Sequence, residues 1–396
     1  MISSRIKRMT PSATIELEGT VADLKSQGVN IIEMNAGEPD FRTPDNIRNA
    51  CEKALADGQT KYVSVAGILP LRKAICEKLK RDNDVSYSTS EVIVCTGAKQ
   101  ALYNAILTIC EPGDEVIIPK PCWVSYVEMV KLVDAVPVLV DTNNNDFSLN
   151  LDTIEKAISP RTKAVIINTP NNPTGAVYSR ESLMTLGKLA AKYNFYVISD
   201  EVYEKLIYGN KQHVSPASLS DDIRQHTLLV NGFSKAYAMT GWRLGYCAGP
   251  QDVIRGMASL QGHTTSNSTT FVQWAGVEAL NGPQDSVTYM RNQFDERRRY
   301  LLHRLRMMPG IKCPNADGAF YLLPDVSCYY GKKGSDGTII RDSFDFCKYM
   351  LNCAHVAIVP GAAFESPCTV RIAYSNSKEN IQEGMDNFEK MLSVLK

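Results

Sequence analysis

Short apolar runs alternate with helical patterns between about residue 90 and residue 250, and this alternation constrains the fold more than any other feature. Within each run successive residues are apolar, which predicts strands that are buried on both faces. Helical patterns separate the runs, as over residues 99–110, 124–132 and 180–194. We therefore expect an α/β sheet covered by helices on both sides. The predicted strands are residues 91–95, 115–119, 136–140, 163–168, 195–199 and 227–231.

The pattern changes near residue 285. A long charged helix is predicted over residues 289–307, before apolar runs at 318–323, 356–359 and 369–373 and a last helix from about residue 377. This mixture predicts a smaller α+β domain, and we expect the first forty residues to pack with it. A chain of 396 residues is long enough for two domains. The expected division is an N-terminal arm over 1–45, a large domain over 46–285 and a small C-terminal domain over 286–396.

Composition and charge argue against several classes of function. The chain has 43 basic and 43 acidic residues without long runs of either sign, so no nucleic-acid partner is expected. No stretch is apolar enough to span a membrane, and the first residues lack the apolar core of a signal peptide. The eleven cysteines include no C-x-x-C pair and the five histidines no H-x-x-x-H pair. We therefore expect reduced thiols, a cytoplasmic location and no metal.

Polar clusters directly follow four of the predicted strands. They occupy residues 96–99, 171–175, 200–203 and 234–235. In open α/β sheets ligands bind at the carboxyl ends of the strands. Each cluster alone is ordinary loop chemistry, but their agreement predicts one site at this edge of the sheet.

Several of these polar side chains allow both a structural and a functional interpretation. Thr96 could simply cap a helix, yet Lys99 in the first helical turn is unfavourable unless an anion lies nearby. Asp200 could cap a following helix, or it is a buried carboxylate that needs a cationic partner. Lys235 is either a surface lysine or an amine that forms a Schiff base. Arg243 pairs with a structural acid or with the same anion as Lys99.

The sequence Asn-Gly-Phe-Ser-Lys-Ala-Tyr-Ala-Met-Thr-Gly-Trp-Arg at 231–243 resembles the cofactor-lysine signature of class I aminotransferases, which have the pyridoxal-phosphate fold type I. Further motifs occur in the family's order, among them Asn-Ala-Gly-Glu-Pro-Asp-Phe at 35–41, Asn-Asn-Pro-Thr-Gly at 171–175 and Ser-Asp-Glu-Val-Tyr at 199–203. Pro-Ser-Ala-Thr at 11–14 and Gly-Ala-Lys-Gln at 97–100 resemble bacterial-type aspartate aminotransferases of the subgroup that includes thermophilic enzymes. The resemblance implies a large domain with a mostly parallel seven-stranded sheet, a smaller α+β domain and the cofactor pyridoxal 5′-phosphate.

The resemblance also implies roles for residues around the cofactor ring. Lys235 would carry the cofactor as a Schiff base and shuttle the proton of the substrate. Asp200 would pair with the pyridine nitrogen and keep it protonated, because a carboxylate stabilises that positive charge. Tyr203 and Asn172 would bond the 3′-oxygen, and Trp123 would stack on the ring. Trp123 and Asn172 would also contact the substrate.

Further residues are implied for the cofactor phosphate and for the substrate. The phosphate would rest on the backbone of Gly97, Ala98 and Lys99, with Arg243 as a bidentate partner. The position three before the lysine, often serine in the family, is Gly232 here, and whether Ser234 replaces it stays open.

The family also implies a second subunit and a carboxylate clamp. Tyr62 would reach the phosphate of the other subunit, which implies a homodimer with shared active sites. The segment that reaches the partner's site departs from the family, with Ser-Asn-Ser at 266–268 in place of Ser-Asn-Pro. Arg371 would hold the substrate α-carboxylate in its planar fork, and Gly37 would line the substrate pocket.

The side-chain carboxylate of aspartate or glutamate needs a cation. Residues 259–263 contain no arginine, so the family's partner-subunit arginine is absent, and the resembling subgroup implies Lys99 in its place. Thr10 stands where prephenate-accepting relatives have lysine, which argues against prephenate. The role of His263 stays open. We expect amino transfer from L-aspartate to 2-oxoglutarate by a ping-pong mechanism.

Three alternatives remain at this point. The same scaffold could transaminate alanine, aromatic amino acids, glutamate or prephenate, or could act as a pyridoxal-phosphate β-lyase. A ligand-sensing regulator would need a DNA-binding module, for which the ten residues before Pro11 are too few. A nicotinamide dehydrogenase is disfavoured because no G-x-G-x-x-G follows the first strand.

Overall fold

The computed structural model describes residues 2–11, 13–143 and 146–396. Ser12 of the Pro-Ser-Ala-Thr motif lies outside the described residues. The strands are β1 (Ile32–Glu33), β2 (Val92–Cys95), β3 (Glu115–Lys120), β4 (Val136–Asp141), β5 (Thr162–Asn168), β6 (Tyr196–Asp200), β7 (Thr227–Gly232), β8 (Gly245–Ala248), β9 (Tyr321–Leu322), β10 (Val356–Ala357), β11 (Val359–Pro360) and β12 (Val370–Ala373).

Helices connect these strands along the whole described chain. They are α1 (Ser4–Lys7), α2 (Ala13–Ser26), α3 (Asp45–Ala56), α4 (Leu69–Asn83), α5 (Gly97–Ile109), α6 (Val124–Leu132), α7 (Leu151–Ala157), α8 (Arg180–Tyr193), α9 (Asp221–Gln225), α10 (Gln251–Thr264), α11 (Thr270–Asn281), α12 (Asp285–Met307), α13 (Ser343–Tyr349) and α14 (Lys378–Ser393). Helix α8, predicted over residues 180–194, shows why the sequence indicated its ends. The Ser179 hydroxyl accepts from the Ser182 N–H at its start, and Asn194 takes a left-handed conformation at its end.

Seven strands form one sheet in the order β2-β8-β7-β6-β5-β3-β4. Strand β8 runs antiparallel to both of its neighbours, and the other pairs are parallel. The expected mostly parallel, seven-stranded sheet is therefore confirmed. Strand β2 runs in the same direction as β7, so the carboxyl ends of β2, β5, β6 and β7 meet at one edge.

Both faces of the sheet are covered by helices, as the apolar runs predicted. Val94 and Leu229 pack with residues of α4 and α11 on one face. Ile93 and Val230 pack with residues of α5 and α10 on the other face. Burial of each such side chain contributes roughly 1.5–3 kcal/mol, so these clusters fix the strands that carry the polar edge.

The sequence prediction was wrong for one strand of this sheet and missed another. Strand β4 is not buried on both faces, because it lies at the edge of the sheet, and Val136 is 45% exposed. Strand β8 was not predicted, because Gly-Tyr-Cys-Ala is too short a run to stand out. Its four residues become a strand by pairing with β2 and β7.

The C-terminal part forms two small sheets. One is the parallel pair β1-β10, and the other has the order β11-β12-β9. The run 356–359, expected as one strand, is therefore divided between two sheets, with Ile358 between β10 and β11. The long helix α12 begins at Asp285, four residues before its predicted start.

The N-terminal residues lie in two places. Strand β1 pairs with β10 in the C-terminal part. Helix α1, however, lies against the large sheet's helix α6, where Arg5 and Arg8 both form salt bridges with Asp134. The expectation that the first forty residues pack with the small part is therefore wrong for α1. Among the described residues, no helix is long and apolar enough to cross a membrane.

Candidate active site

A cavity of about 310 Å³ lies at the edge of the large sheet where the carboxyl ends of the strands meet. It receives side chains from all four predicted polar clusters, together with residues from β9, β12 and α6. The predicted site residues that line it are Gly37, Ala98, Lys99, Trp123, Asn172, Asp200, Tyr203, Ser234, Lys235, Arg243 and Arg371. The structure therefore brings these predicted residues together around one cavity.

Arg243 lines the cavity, whereas Gly97 does not, although it lies next to the Arg243 guanidinium. Gly97 begins α5 with a φ of +81°, and a Cβ built there would lie 2.5 Å from Arg243 Nη2. A side chain at residue 97 would therefore displace the guanidinium. Arg243 Nη1 donates to the carbonyl of Thr240 at 2.8 Å and forms no salt bridge within the described chain. The alternative of a structural acid partner is thus not supported.

Lys99 lies in the first turn of α5, as expected, next to this arginine. Its Nζ is 4.8 Å from the centroid of the Trp123 ring. Burial and the positive charge of Arg243 lower the pKa of Lys99. The Thr96 hydroxyl does not cap the helix. The cations Lys99 and Arg243, together with the backbone N–H groups at the start of α5, favour the binding of an anion.

Asp200 ends β6 and is 4% exposed. Its Oδ2 accepts from the Tyr126 hydroxyl at 2.7 Å, and its Oδ1 accepts from the Val202 N–H at 3.2 Å. Turns rather than a helix follow it, so it is not a helix cap. No cationic side chain of the described residues forms a salt bridge with it. Burial raises the pKa of Asp200 to about 6, although the Tyr126 hydroxyl, the Val202 N–H and the charge of Lys235 act in the opposite direction.

Lys235 follows β7 and lies close to the same edge. Burial lowers the pKa of its ammonium to about 8, with Glu38 acting in the opposite direction. Its Nζ donates to the carbonyl of Gly37, which brings the N-terminal segment over the cavity. An amine that loses its proton near neutral pH is suited to nucleophilic chemistry.

Arg371 on β12 is 3% exposed and closes the cavity from the C-terminal part. Its Nη1 donates to Asn172 Oδ1 at 3.1 Å and its Nη2 to the Asn35 carbonyl at 2.8 Å. Its Nε is buried and has no hydrogen-bond partner among the described residues. The guanidinium lies 4.5 Å from the centroid of the Tyr321 ring. The hydroxyls of Tyr321 and Tyr203 hydrogen-bond at 2.8 Å, which links this cation to the sheet edge.

The sequence reasoning missed several residues of the cavity. Tyr126 and Tyr321 line it, and so does Asn168, whose Nδ2 donates to the Asp200 carbonyl at 2.9 Å. Glu18 of α2 also lines it. Tyr126 stands within the Pro-Cys-Trp-Val-Ser-Tyr motif at 121–126, so that motif was an available signal. No sequence pattern indicated that Tyr321 or Glu18 would face the cavity.

Tyr62 is not part of this cavity. It is 89% exposed and lines a second cavity of about 430 Å³ with Lys61, Asn267 and Phe271. Within one chain, the structure therefore does not bring Tyr62 to the predicted site. Ser234 does line the first cavity, whereas a Cβ at Gly232 would lie 3.3 Å from the Leu244 carbonyl. His263 is exposed near the end of α10.

Comparison with known proteins identifies the family of this chain. Residues 29–388 match the family model for class I and II aminotransferases. The chain belongs to the class I and II aminotransferase family. An aspartate aminotransferase of Bacillus sp. (strain YM-2) is 43% identical to it over 99% of both chains. A probable aspartate/prephenate aminotransferase of Aquifex aeolicus is 42% identical over 100% of this chain and 99% of its own.

Solved structures agree with this assignment. The aspartate aminotransferase of Thermus thermophilus with maleate has a TM-score of 0.93 and 42% identity, and the match covers 99% of both chains. The aminotransferase thus has the fold type I architecture and resembles the subgroup with thermophilic members, as its motifs predicted.

Enzymes of this family depend on pyridoxal 5′-phosphate, and the residues of the cavity fit it. The buried Asp200 carboxylate suits the ring nitrogen, because it lacks a cationic partner among the described residues. The Lys235 amine suits the aldehyde, and the start of α5 with Arg243 suits the phosphate. When bound, the cofactor withdraws the electrons that are left on the substrate α-carbon after the proton has gone.

Proposed function

We propose that this aminotransferase moves the amino group of L-aspartate to 2-oxoglutarate in a two-stage ping-pong reaction. The observation that carries the proposal is the pair of cations, Arg371 and Lys99, that line one cavity with the Lys235 amine. Arg371 binds the α-carboxylate, because its planar fork matches two carboxylate oxygens. Lys99 binds the side-chain carboxylate. The Thermus thermophilus relative was solved with maleate, itself a dicarboxylate.

The proposed roles of the ring-binding residues follow from their contacts. Asp200 holds the proton of the ring nitrogen, because a buried carboxylate gains from a positive partner. Tyr203 and Asn172 donate to the 3′-oxygen, and Trp123 covers the ring. Trp123 and Asn172 also contact the substrate, since Asn172 already bonds Arg371.

The phosphate lies on the backbone of Gly97, Ala98 and Lys99 in this proposal. Arg243 gives it a bidentate partner, and Ser234 adds a hydroxyl from the wall of the same cavity. The glycine at residue 97 is needed because a Cβ there would collide with that guanidinium.

Lys235 holds the cofactor and then acts as the proton carrier. Its freed Nζ takes the proton from the substrate α-carbon and returns it, for which the amine must be neutral. Gly37 leaves room for the substrate: a Cβ built there would meet only Tyr321 Oη, at 3.5 Å. The arm over 1–45 and the small domain over 286–396 hold substrate against the large domain over 46–285.

The proposal includes a homodimer. The exposed Tyr62 lies outside the cavity of its own chain, and we propose that it reaches the phosphate of the partner subunit. A reducing compartment such as the cytoplasm suits the eleven cysteines, none of which forms a disulfide.

A spectroscopic half-reaction tests this function. We expect L-aspartate to remove the visible absorbance of the cofactor-loaded enzyme and 2-oxoglutarate to restore it, with L-alanine and L-phenylalanine much slower. Lys99→Met should weaken the reaction with L-aspartate about 10-fold more than that with L-alanine, because a hydrogen bond to a charge is lost. Equal loss for both amino acids would exclude Lys99 as the specificity residue.

Other outcomes point to other functions. Prephenate as the better acceptor would place this aminotransferase with relatives such as that of Aquifex aeolicus. We do not expect prephenate to be the better acceptor, because Thr10 stands at the position where prephenate enzymes have a lysine. The Thr10 N–H donates to Glu128 Oε2 at 3.1 Å. Faster reaction with alanine or aromatic amino acids would change the substrate class. Release of ammonia and pyruvate without a keto acid would indicate a β-lyase.

Capture of the cofactor should depend on pH through Lys235. Only the neutral amine attacks the aldehyde, and burial lowers the pKa of Lys235 to about 8. We therefore expect the capture rate of cofactor-free protein to rise with pH and level off a little above pH 8. Stopped-flow absorbance would measure it, with Nα-acetyl-lysine, whose only amine has a pKa of about 10.4, as the control. A rate that keeps rising in parallel with Nα-acetyl-lysine through pH 10 would contradict the assignment.

A further inference from the structure

Tyr126 contacts Asp200 directly from the first turn of α6. It is 2% exposed, and its hydroxyl donates to Asp200 Oδ2 at 2.7 Å. The Trp123 ring packs edge-on against its ring at a centroid distance of 5.3 Å, which fixes the hydroxyl in place. The other carboxylate oxygen, Oδ1, accepts only the longer bond from the Val202 N–H at 3.2 Å.

A hydrogen bond of this kind favours the ionised carboxylate, because the hydroxyl stabilises its negative charge. Burial acts in the opposite direction and favours the protonated acid. The Tyr126 hydroxyl is the shortest polar contact of Asp200 among the described residues, while the charge of Glu201 raises the pKa of Asp200 and that of Lys235 lowers it. If Asp200 faces the ring nitrogen of the bound cofactor, the two groups would share a single proton, and the stronger base would hold it.

We propose that Tyr126 is a positioning residue that keeps Asp200 ionised and thereby keeps the shared proton on the ring nitrogen of the cofactor. This inference rests on the proposed assignment of Asp200 to that nitrogen. Without the hydroxyl, Asp200 becomes the stronger base, the proton moves to the carboxylate, and the ring loses the positive charge that accepts electrons. A tyrosine that only filled the core would have no such effect.

Loss of the Tyr126 hydroxyl should shift the pH midpoint of the visible absorbance in one direction. A positive ring nitrogen disfavours a second proton elsewhere in the same conjugated system, including at Lys235 Nζ. When that charge is lost, the site at Nζ becomes more basic. If Tyr126 acts as proposed, the pH midpoint of the visible absorbance is therefore higher in a variant without the Tyr126 hydroxyl than in wild type. A variant that loses only packing contacts would keep the wild-type midpoint.

The test compares Tyr126→Phe with a matched control and with Asp200→Asn. The control is Tyr208→Phe, which removes a buried hydroxyl that donates to the Ala319 carbonyl, away from Asp200. For Tyr126→Phe we expect the midpoint to rise by about one pH unit. We expect kcat to fall about 10- to 100-fold, and KM to change much less. Tyr208→Phe should change neither the midpoint nor kcat in this way.

A second measurement uses cofactor-free protein, so it does not depend on loading. Burial already raises the pKa of Asp200 to about 6, above that of an unfolded aspartate, so its charge opposes folding at higher pH. Loss of the hydroxyl raises this pKa further. The thermal midpoint of Tyr126→Phe should therefore fall further below wild type as pH rises from 5 to 8.

The outcomes separate the two proposals. If Asp200→Asn shifts the absorbance midpoint but Tyr126→Phe does not, the inference about Tyr126 is wrong and the assignment of Asp200 stands. If neither variant shifts it, Asp200 does not hold the ring nitrogen and both ideas fail. A stability difference for Tyr126→Phe that is constant between pH 5 and 8 would also overturn the inference.

Discussion

Replacing Lys235 with alanine is expected to lower kcat/KM for amino transfer by about 10⁴-fold, the upper end of what a positioned general base contributes. Lys235 is half-buried at the edge of the sheet, and desolvation lowers its pKa to about 8, so that the amine can be neutral when it takes the proton. Steady-state rates with L-aspartate and 2-oxoglutarate would measure the loss. Lys235→Arg should be equally impaired, because a guanidinium stays protonated and cannot take the proton.

Controls distinguish lost chemistry from lost structure. Lys211→Ala removes an exposed lysine and should leave the rates within two-fold. A small primary amine added to Lys235→Ala should restore part of the activity, with a pH profile that follows the pKa of the added amine. Full activity of Lys235→Ala without any added amine would contradict the proposed role.

The large sheet could be predicted because each of its central strands contains a continuous apolar run. Residues 163–168 and 195–199 were predicted to within one residue of β5 and β6, since burial on both faces leaves a continuous run. Strand β4 has the same kind of sequence but lies at an edge, and only the strand order decides that. Strand β8 depends wholly on its two neighbours, so no local pattern indicated it.

The residues of the candidate site could be predicted where they stand at or just after the end of a strand of the large sheet. Asp200 ends a parallel strand and Lys235 closely follows one, so both had to reach the same edge of the sheet. Tyr126 and Tyr321 reach the cavity from a helix and from a small sheet. The direction of their side chains depends on how those elements pack over the large sheet, which the sequence pattern does not contain.

A buried ion pair holds the turn after β6, which carries Tyr203. Lys78 of α4 forms a salt bridge with Glu204, and the side chains are 2% and 7% exposed. Asn83 Nδ2 also donates to Glu204 at 2.7 Å. The neighbouring Glu201 accepts from the hydroxyl of Ser215 at 2.7 Å. Tyr203 lies between these two glutamates in the chain, so the buried pair anchors the segment that carries it.

Lys78→Met is therefore expected to destabilise the protein by about 3–5 kcal/mol, because it leaves Glu204 as a buried charge without its partner. Burial raises the pKa of Glu204, but the Lys78 ammonium, with His213 and Lys205, outweighs burial and lowers this pKa to about 2. The pair thus stabilises the fold above the ordinary glutamate pKa of 4.5, and this contribution is lost as pH falls towards 2. Urea unfolding at pH 7 and at pH 3.5 should show a smaller difference at the lower pH.

Two further variants define what the measurement means. Lys53→Met breaks an exposed pair with Asp57, whose side chains are 75% and 51% exposed, and should cost less than about 1 kcal/mol. The double variant Lys78→Met/Glu204→Leu should be more stable than Lys78→Met alone, since no unpaired charge remains buried. Glu204→Leu alone completes the comparison. If the loss of stability in the double variant equals the sum of the losses in Lys78→Met and Glu204→Leu, Lys78 acts through packing, and charge pairing does not explain its burial.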